Sequence, residues 1–127
     1  MGLIYVPVTL REFKKSRKKY EAKFLVDTGA TDSLVPAKAL RKIGVEPMGE
    51  MSYELADGTV VDFPFAVMHI EFMGEITGGR VIFGPDDAEP LLGVTALESV
   101  GMTVDPTNQR LKRLPAISLK LIRRAKA

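Results

Sequence analysis

Apolar residues along this chain recur mostly at a period of two, the spacing of a half-buried strand. Residues 3–10, LIYVPVTL, are dense in β-formers, and Pro7 among them fits an edge strand or a bulge. A basic run, REFKKSRKK, follows at 11–19, and YEAKFLVD at 20–27 is β-like again. Together they predict a long hairpin with a charged tip. The tip reads as a solvated end or, failing that, as a contact for an acidic partner.

The period then changes. In SLVPAKALRKIG, residues 33–44, Leu40 and Ile43 share a helical face, Pro36 suits a first turn and Gly44 a left-handed C-cap. A helix of about two turns is expected. Between residues 50 and 72 two β-like runs flank Asp57-Gly58, which predicts a hairpin with a type I′ turn. In the second run Val67, His69 and Glu71 fall on one face, and Met68, Ile70 and Phe72 on the other. A turn and a further strand around Arg80–Phe83 follow.

Leu91-Leu92 ends at Gly93 and leads into another short helix. Thr95 to Glu98 has the spacing of a capping box, and Gly101 closes that helix as Gly44 closes the first. Met102–Asp105 and Arg110–Leu114 read as strands around a Pro-Thr-Asn turn. The basic tail SLKLIRRAKA adds a strand or frays. Residues 24–45 and 90–104 thus share one plan: apolar strand, small-residue turn, short helix, glycine, strand. Only the first copy carries an aspartate in its turn.

Composition narrows the chemistry. A chain of 127 residues, 46% apolar, is one domain with a real core. A net charge of +2 gives no reason to expect a nucleic-acid partner. With no cysteine, disulfides, thiolate catalysis and Cys-based zinc sites are excluded, and a reducing compartment is suited. No apolar run approaches the ~20 residues of a membrane-spanning helix, and MGLIYVPVTL lacks the features of a signal peptide. The expectation is a cytoplasmic protein without membrane partners.

The single histidine, His69, reads as solvent-facing or lightly packed, which argues against serine–histidine hydrolysis and against His-ligated metal. No G-x-S-x-G, G-x-G-x-x-G or P-loop pattern occurs. Asp86, Asp87 and Glu89 lie between prolines and read as a solvated turn rather than a cation loop. No metal and no cofactor are expected.

What remains is Asp27 in FLVDTGAT, where an apolar strand delivers one carboxylate to a small-residue turn. One carboxylate is a poor catalyst of amide hydrolysis. Two that share a proton are a good one, because repulsion splits their pKa values into a base and an acid. Asp57-Gly58-Thr59 has a turn order and is not a second copy. The second aspartate must then come from a second chain, across a two-fold axis.

In that order FLVDTGAT, ADGT, LLG and VTALESVG resemble the retropepsin-like aspartic proteases, relatives of pepsin, over roughly Leu3 to Leu114. The likeness is greater to small chromosomally encoded microbial members than to viral ones. It implies a mainly β, single-domain, closed β-barrel-like acid-protease fold with two short helices and a flap hairpin. It also implies a protease domain at 1–114 with a basic C-terminal extension at 115–127.

The implied activity is that of an aspartic endopeptidase, a homodimer acting on extended polypeptide. Asp27 would hold the catalytic water with its dyad mate. The Thr28 hydroxyl would bond across the axis, Gly29 would donate its amide to the carboxylate, and Ala30 would keep the floor small. Ala56, Asp57, Gly58 and Thr59 would form the flap tip, and Leu92 and Gly93 would pack beneath the loop. The flap lacks the family's glycine-rich run, Gly-Val-Thr replaces a polar residue after the downstream glycine, and the extension has no counterpart. The competing readings are a catalytically silent module that dimerises or holds extended peptides, and a plain β domain with a chance Asp-Thr-Gly.

Overall fold

The structure, a computed structural model, describes residues 3–119 and residue 122. Nine strands and two helices are present among them: β1 (Tyr5–Arg11), β2 (Tyr20–Asp27), β3 (Ser33–Pro36), α1 (Ala37–Lys42), β4 (Gly49–Glu54), β5 (Val60–Phe72), β6 (Glu75–Gly84), β7 (Leu91–Gly93), α2 (Val94–Ser99), β8 (Met102–Asp105) and β9 (Arg110–Arg113). The main sheet runs β1-β2-β7-β3-β6-β5-β4, and β1 also pairs with β5. That last pairing closes six strands into a barrel and leaves β4 as an appended flap strand. The result is a mainly β acid-protease fold with two short helices. None of the described helices is long and apolar enough to cross a membrane.

The alternation seen in the sequence builds the barrel wall. Val6, Val8 and Leu10 of β1 point inward, as do Ala66, Met68, Ile70 and Phe72 of β5. Phe24, Val35, Leu40, Val81 and Leu92 complete the centre, all fully buried. Burying such side chains contributes roughly 1.5–3 kcal/mol each before entropy is counted. Both mid-strand prolines are paired on one side only, Pro7 with Lys23 and Pro64 with Glu50. β5 pairs with β1 only from Val8 onward, just past Pro7. Pro64 faces β4 at Glu50, and pairing with β6 begins one residue later at Phe65.

At the seam where β1 meets β5, Arg11 lies opposite His69. Arg11 Nε donates to Glu71 Oε1 at 3.3 Å. His69 is packed there rather than solvent-facing, its side chain 15% exposed and its Nε2 3.3 Å from the same Glu71 oxygen.

Four local expectations are corrected. Asp57-Gly58 is not a type I′ turn. Gly58 has φ +85° but Asp57 is not left-handed, and the Gly58 amide donates to Leu55 O at 2.9 Å while Leu55 donates to Thr59 O at 2.7 Å. This is a three-residue loop ending in a left-handed glycine, favoured because only one residue must bear positive φ. The pair with two positive φ angles is Met73-Gly74, at 54° and 78°, joining β5 to β6. Strand β6 accordingly begins at Glu75, earlier than the expected strand around Arg80–Phe83.

Pro36 precedes α1, with the extended ψ of 133°, and Ser33–Pro36 forms the buried strand β3, parallel to β6. Thr95 is inside α2, whose N-cap is Gly93 with no side-chain cap bond, so there is no capping box. The close docking of Gly93 fixes where that helix starts, and this overrides the local capping preference.

The helix-closing glycines are as expected, with φ +80° at Gly44 and +70° at Gly101. Strands β8 and β9 form a separate two-stranded ribbon. Its turn is held by Asp105, whose Oδ1 accepts from the Thr107 and Asn108 amides at 3.1 and 3.3 Å. The bonds from Asn108, then the Thr107 amide and Arg110, hold that carboxyl below its usual range. Most of the basic end of the tail lies outside the described residues. Beyond β9, the Leu114 amide donates to Gly101 O at 2.8 Å, and Ile117 packs on Gly101.

Candidate active site

Strand β2 ends in Asp27 because its apolar run ends there. Leu25, Val26 and Asp27 lie parallel to Leu91, Leu92 and Gly93 of β7. The chain then leaves the sheet through Thr28, Gly29 and Ala30 before re-entering it as β3. The Gly29 amide donates to Asp27 Oδ1 at 3.0 Å, and the Ala30 amide to Asp27 O at 3.1 Å. A Cβ built on Gly29 would stand 3.3 Å from Asp27 Oδ1, so a side chain there crowds the carboxylate. Asp27 is half-buried, while Thr28 and Gly29 are exposed. The carboxylate is therefore oriented by the backbone and still open to solvent.

The loop rests on the β7–α2 junction. Val94 donates to Ala30 O at 2.8 Å and Thr95 to Thr31 O at 3.1 Å. The buried Gly93 amide donates to Ser33 Oγ at 3.0 Å. A Cβ on Gly93 would lie 2.5 Å from the Asp32 carbonyl carbon and 2.8 Å from Thr31 O, both backbone. Leu92 is fully buried below. Asp27, Thr28, Gly29, Ala30, Leu92 and Gly93 thus form one cluster.

The flap-tip residues Ala56, Asp57, Gly58 and Thr59 do not join that cluster directly. They form the exposed turn between β4 and β5. The Thr59 amide donates to Asp57 Oδ1 at 2.9 Å, and hydrogen bonding by Thr59 holds the Asp57 carboxyl below its usual range.

Sequence reasoning missed the link between flap and loop. The hydroxyl of Tyr53, on β4, donates to Oδ2 of Asp32 at 2.6 Å. Asp32 is buried at 9% exposure, only five residues after Asp27. Burial first, and then the Asp32 bond, push the Tyr53 phenol well above the usual tyrosine range, with Arg80 acting weakly the other way. The Tyr53 ring also tilts against Phe63 of β5, centroids 6.3 Å apart. Asp32 stands out little in sequence, since it follows the equally polar, small stretch Thr28-Gly29-Ala30-Thr31. Nothing in the sequence pairs it with a tyrosine 21 positions on.

A cavity of about 350 Å³ lies beside the loop, where Thr28 meets Leu97 and Glu98 of α2, Val104 of β8, and Leu114 and Ile117 of the tail. Leu114 and Ile117 are 46% and 59% exposed. Apolar surface beside Thr28 is therefore left uncovered within one chain.

Comparison with known proteins bears on this geometry. The family model described as "gag-polyprotein putative aspartyl protease", a retropepsin-like family, matches residues 17–99, from the β1–β2 tip to the end of α2. That span includes Asp27, the flap and Gly93. No curated protein matches the chain.

Proposed function

We propose that this chain, which belongs to the gag-polyprotein aspartyl protease family, is one half of a homodimeric aspartic endopeptidase. The carrying observation is the accessible Asp27 carboxylate, held by the Gly29 amide at 3.0 Å on a loop seated against β7 and α2. Each chain has a single Asp-Thr-Gly, so the dyad takes Asp27 from both subunits. One Asp27 is protonated and donates to the scissile carbonyl oxygen. The other is ionised and takes a proton from a water that attacks the carbonyl carbon. The tetrahedral product then loses its amine once the nitrogen is protonated. Without a second subunit the shared proton has no second owner, and the chemistry stops.

Three features support the dimer. Thr28 is exposed beside Asp27, where a two-fold axis through the dyad would place it against its mate. The apolar surface of Leu114 and Ile117 lies next to it. The β8–β9 ribbon has β9 on one edge of β8 and no strand on the other among the described residues. A lone two-stranded ribbon is marginal, and β8 against its symmetry mate makes four strands. Extended polypeptide is the substrate, pairing with the flap and cleft edges as an added strand. On this reading residues 1–114 are the protease domain, and 115–127 are a basic extension whose first part shields α2.

A peptide-library digestion read by mass spectrometry tests the proposal, run from acidic to neutral pH beside sedimentation analysis. Cleavage by a dimer is the expected result. A monomer that cleaves would remove the shared dyad, and a dimer that cleaves nothing would favour the silent peptide-binding module.

A further inference from the structure

The basic run at the hairpin tip is not used by the site described above. In the fold it does not stand alone. The tip and α1 line a groove of about 840 Å³, on which Arg17, Lys18, Lys19, Lys38 and Lys42 converge with one acid, Glu21. Lys19 Nζ pairs with Glu21 Oε1 at 2.7 Å, and that contact holds the Glu21 carboxyl below its usual range. Arg17, Lys18, Lys38 and Lys42 have no ion-pair partner among the described residues. These four exposed cations come from two segments about twenty residues apart, with Asp86 Oδ1 accepting from the Lys38 amide at 3.1 Å. Their field favours an anionic ligand.

The groove is not uniformly polar. Tyr20, Pro36, Ala39 and Ile43 also line it. Cations around an apolar floor suit an acidic polypeptide with apolar side chains better than a bare phosphate backbone. The positive field is also local. Residues 43–79, which include the flap, hold seven acidic residues and no lysine or arginine. A long polyanion running on from the groove would meet repulsion there.

We infer that this groove is an exosite that captures an acidic segment of the polypeptide substrate, away from the scissile bond. That the ligand is substrate rests on the proteolytic reading; that the groove binds an acidic peptide does not. Tethering such a segment raises the effective concentration of the scissile stretch at Asp27. It therefore acts on KM and not on kcat.

The test is fluorescence anisotropy with a labelled dodecapeptide rich in Asp and Glu, its Asn/Gln counterpart, and single-stranded RNA of equal charge. It is run on the wild type, on Asp27→Asn and on the triple variant Lys18→Glu/Lys38→Glu/Lys42→Glu. Wild type and Asp27→Asn should bind the acidic peptide equally and ignore its amide counterpart. Affinity should fall about tenfold or more in the triple variant, and between about 50 and about 300 mM salt.

If charge reversal unfolds the chain, the corresponding triple Gln variant replaces it. No binding of the acidic peptide, or unchanged binding by the variant, overturns the inference, as does tighter binding of RNA. A substrate extended by the acidic segment should show a lower KM at unchanged kcat, an advantage that the variant loses. Should nothing be cleaved, the protease reading falls while the anisotropy still decides the groove.

Discussion

Asp27 and Gly93 end two parallel strands and face each other across the ladder. Each follows a short apolar run, and each leads to a helix of six residues closed by a left-handed glycine. They differ in what comes next. After Asp27 the chain takes a loop and a strand before α1; after Gly93 the helix begins at once. The first unit holds its carboxylate at the surface. The second presents a backbone so close to Thr31 and Asp32 that no side chain fits. Two copies of one plan differ in role: one bears the accessible carboxylate that we propose to be reactive, and the other is the bed that fixes its loop.

The sharpest break of this symmetry is Asp27→Asn. Hydrolysis should fall by about 10²–10⁴-fold or more, because the shared proton is lost. The urea unfolding midpoint and the dimer should be unchanged, since the amide can still accept from Gly29. A variant that still cleaves would move the chemistry elsewhere. Gly93→Ala attacks the other unit. Its Cβ must displace the backbone at Asp32, at a cost of about 3 kcal/mol or more, with activity lost through the displaced loop. A native unfolding curve for Gly93→Ala would show that the bed is not rigid.

Tyr53→Phe tests whether the flap is tied to the first unit. It deprives the buried Asp32 of its donor, at a cost of about 2 kcal/mol, and should speed hydrogen exchange at Leu55–Thr59. It also has a pH signature. The folded phenol ionises above the unfolded value of 10.0, so the folded state holds a proton that the unfolded state gives up. Wild-type stability should fall as pH rises above about 10, and the Phe variant should show a shallower fall, the remainder coming from Tyr5 and Tyr20, which are also raised. Identical slopes would mean that Tyr53 is not buried against Asp32 in solution.

Gly58→Ala is the mildest change. It meets no neighbour within 4 Å, but φ is +85°, so the expected cost is about 1 kcal/mol, confined to the flap turn. A loss as large as that of Gly93→Ala would mean that the flap is part of the core.

The sequence by itself determined the mainly β character, the first hairpin, both helices with their closing glycines, and the aspartate delivered by an apolar strand. Each rests on neighbours in the chain: alternation sets which face is buried, and a glycine takes the left-handed angles that others resist. The closed barrel followed only from the family resemblance, since it depends on β1 pairing with β5. The tertiary structure decided the rest. It made Ser33–Pro36 a strand, because β6 and β7 stand on either side to pair with it. It placed the double left-handed turn at Met73-Gly74 rather than Asp57-Gly58, because the register of β5 on β6 leaves two residues there. It also joined Tyr53 to Asp32, and α1 to the hairpin tip. Such contacts arise between segments far apart in sequence, and no local propensity encodes their distance.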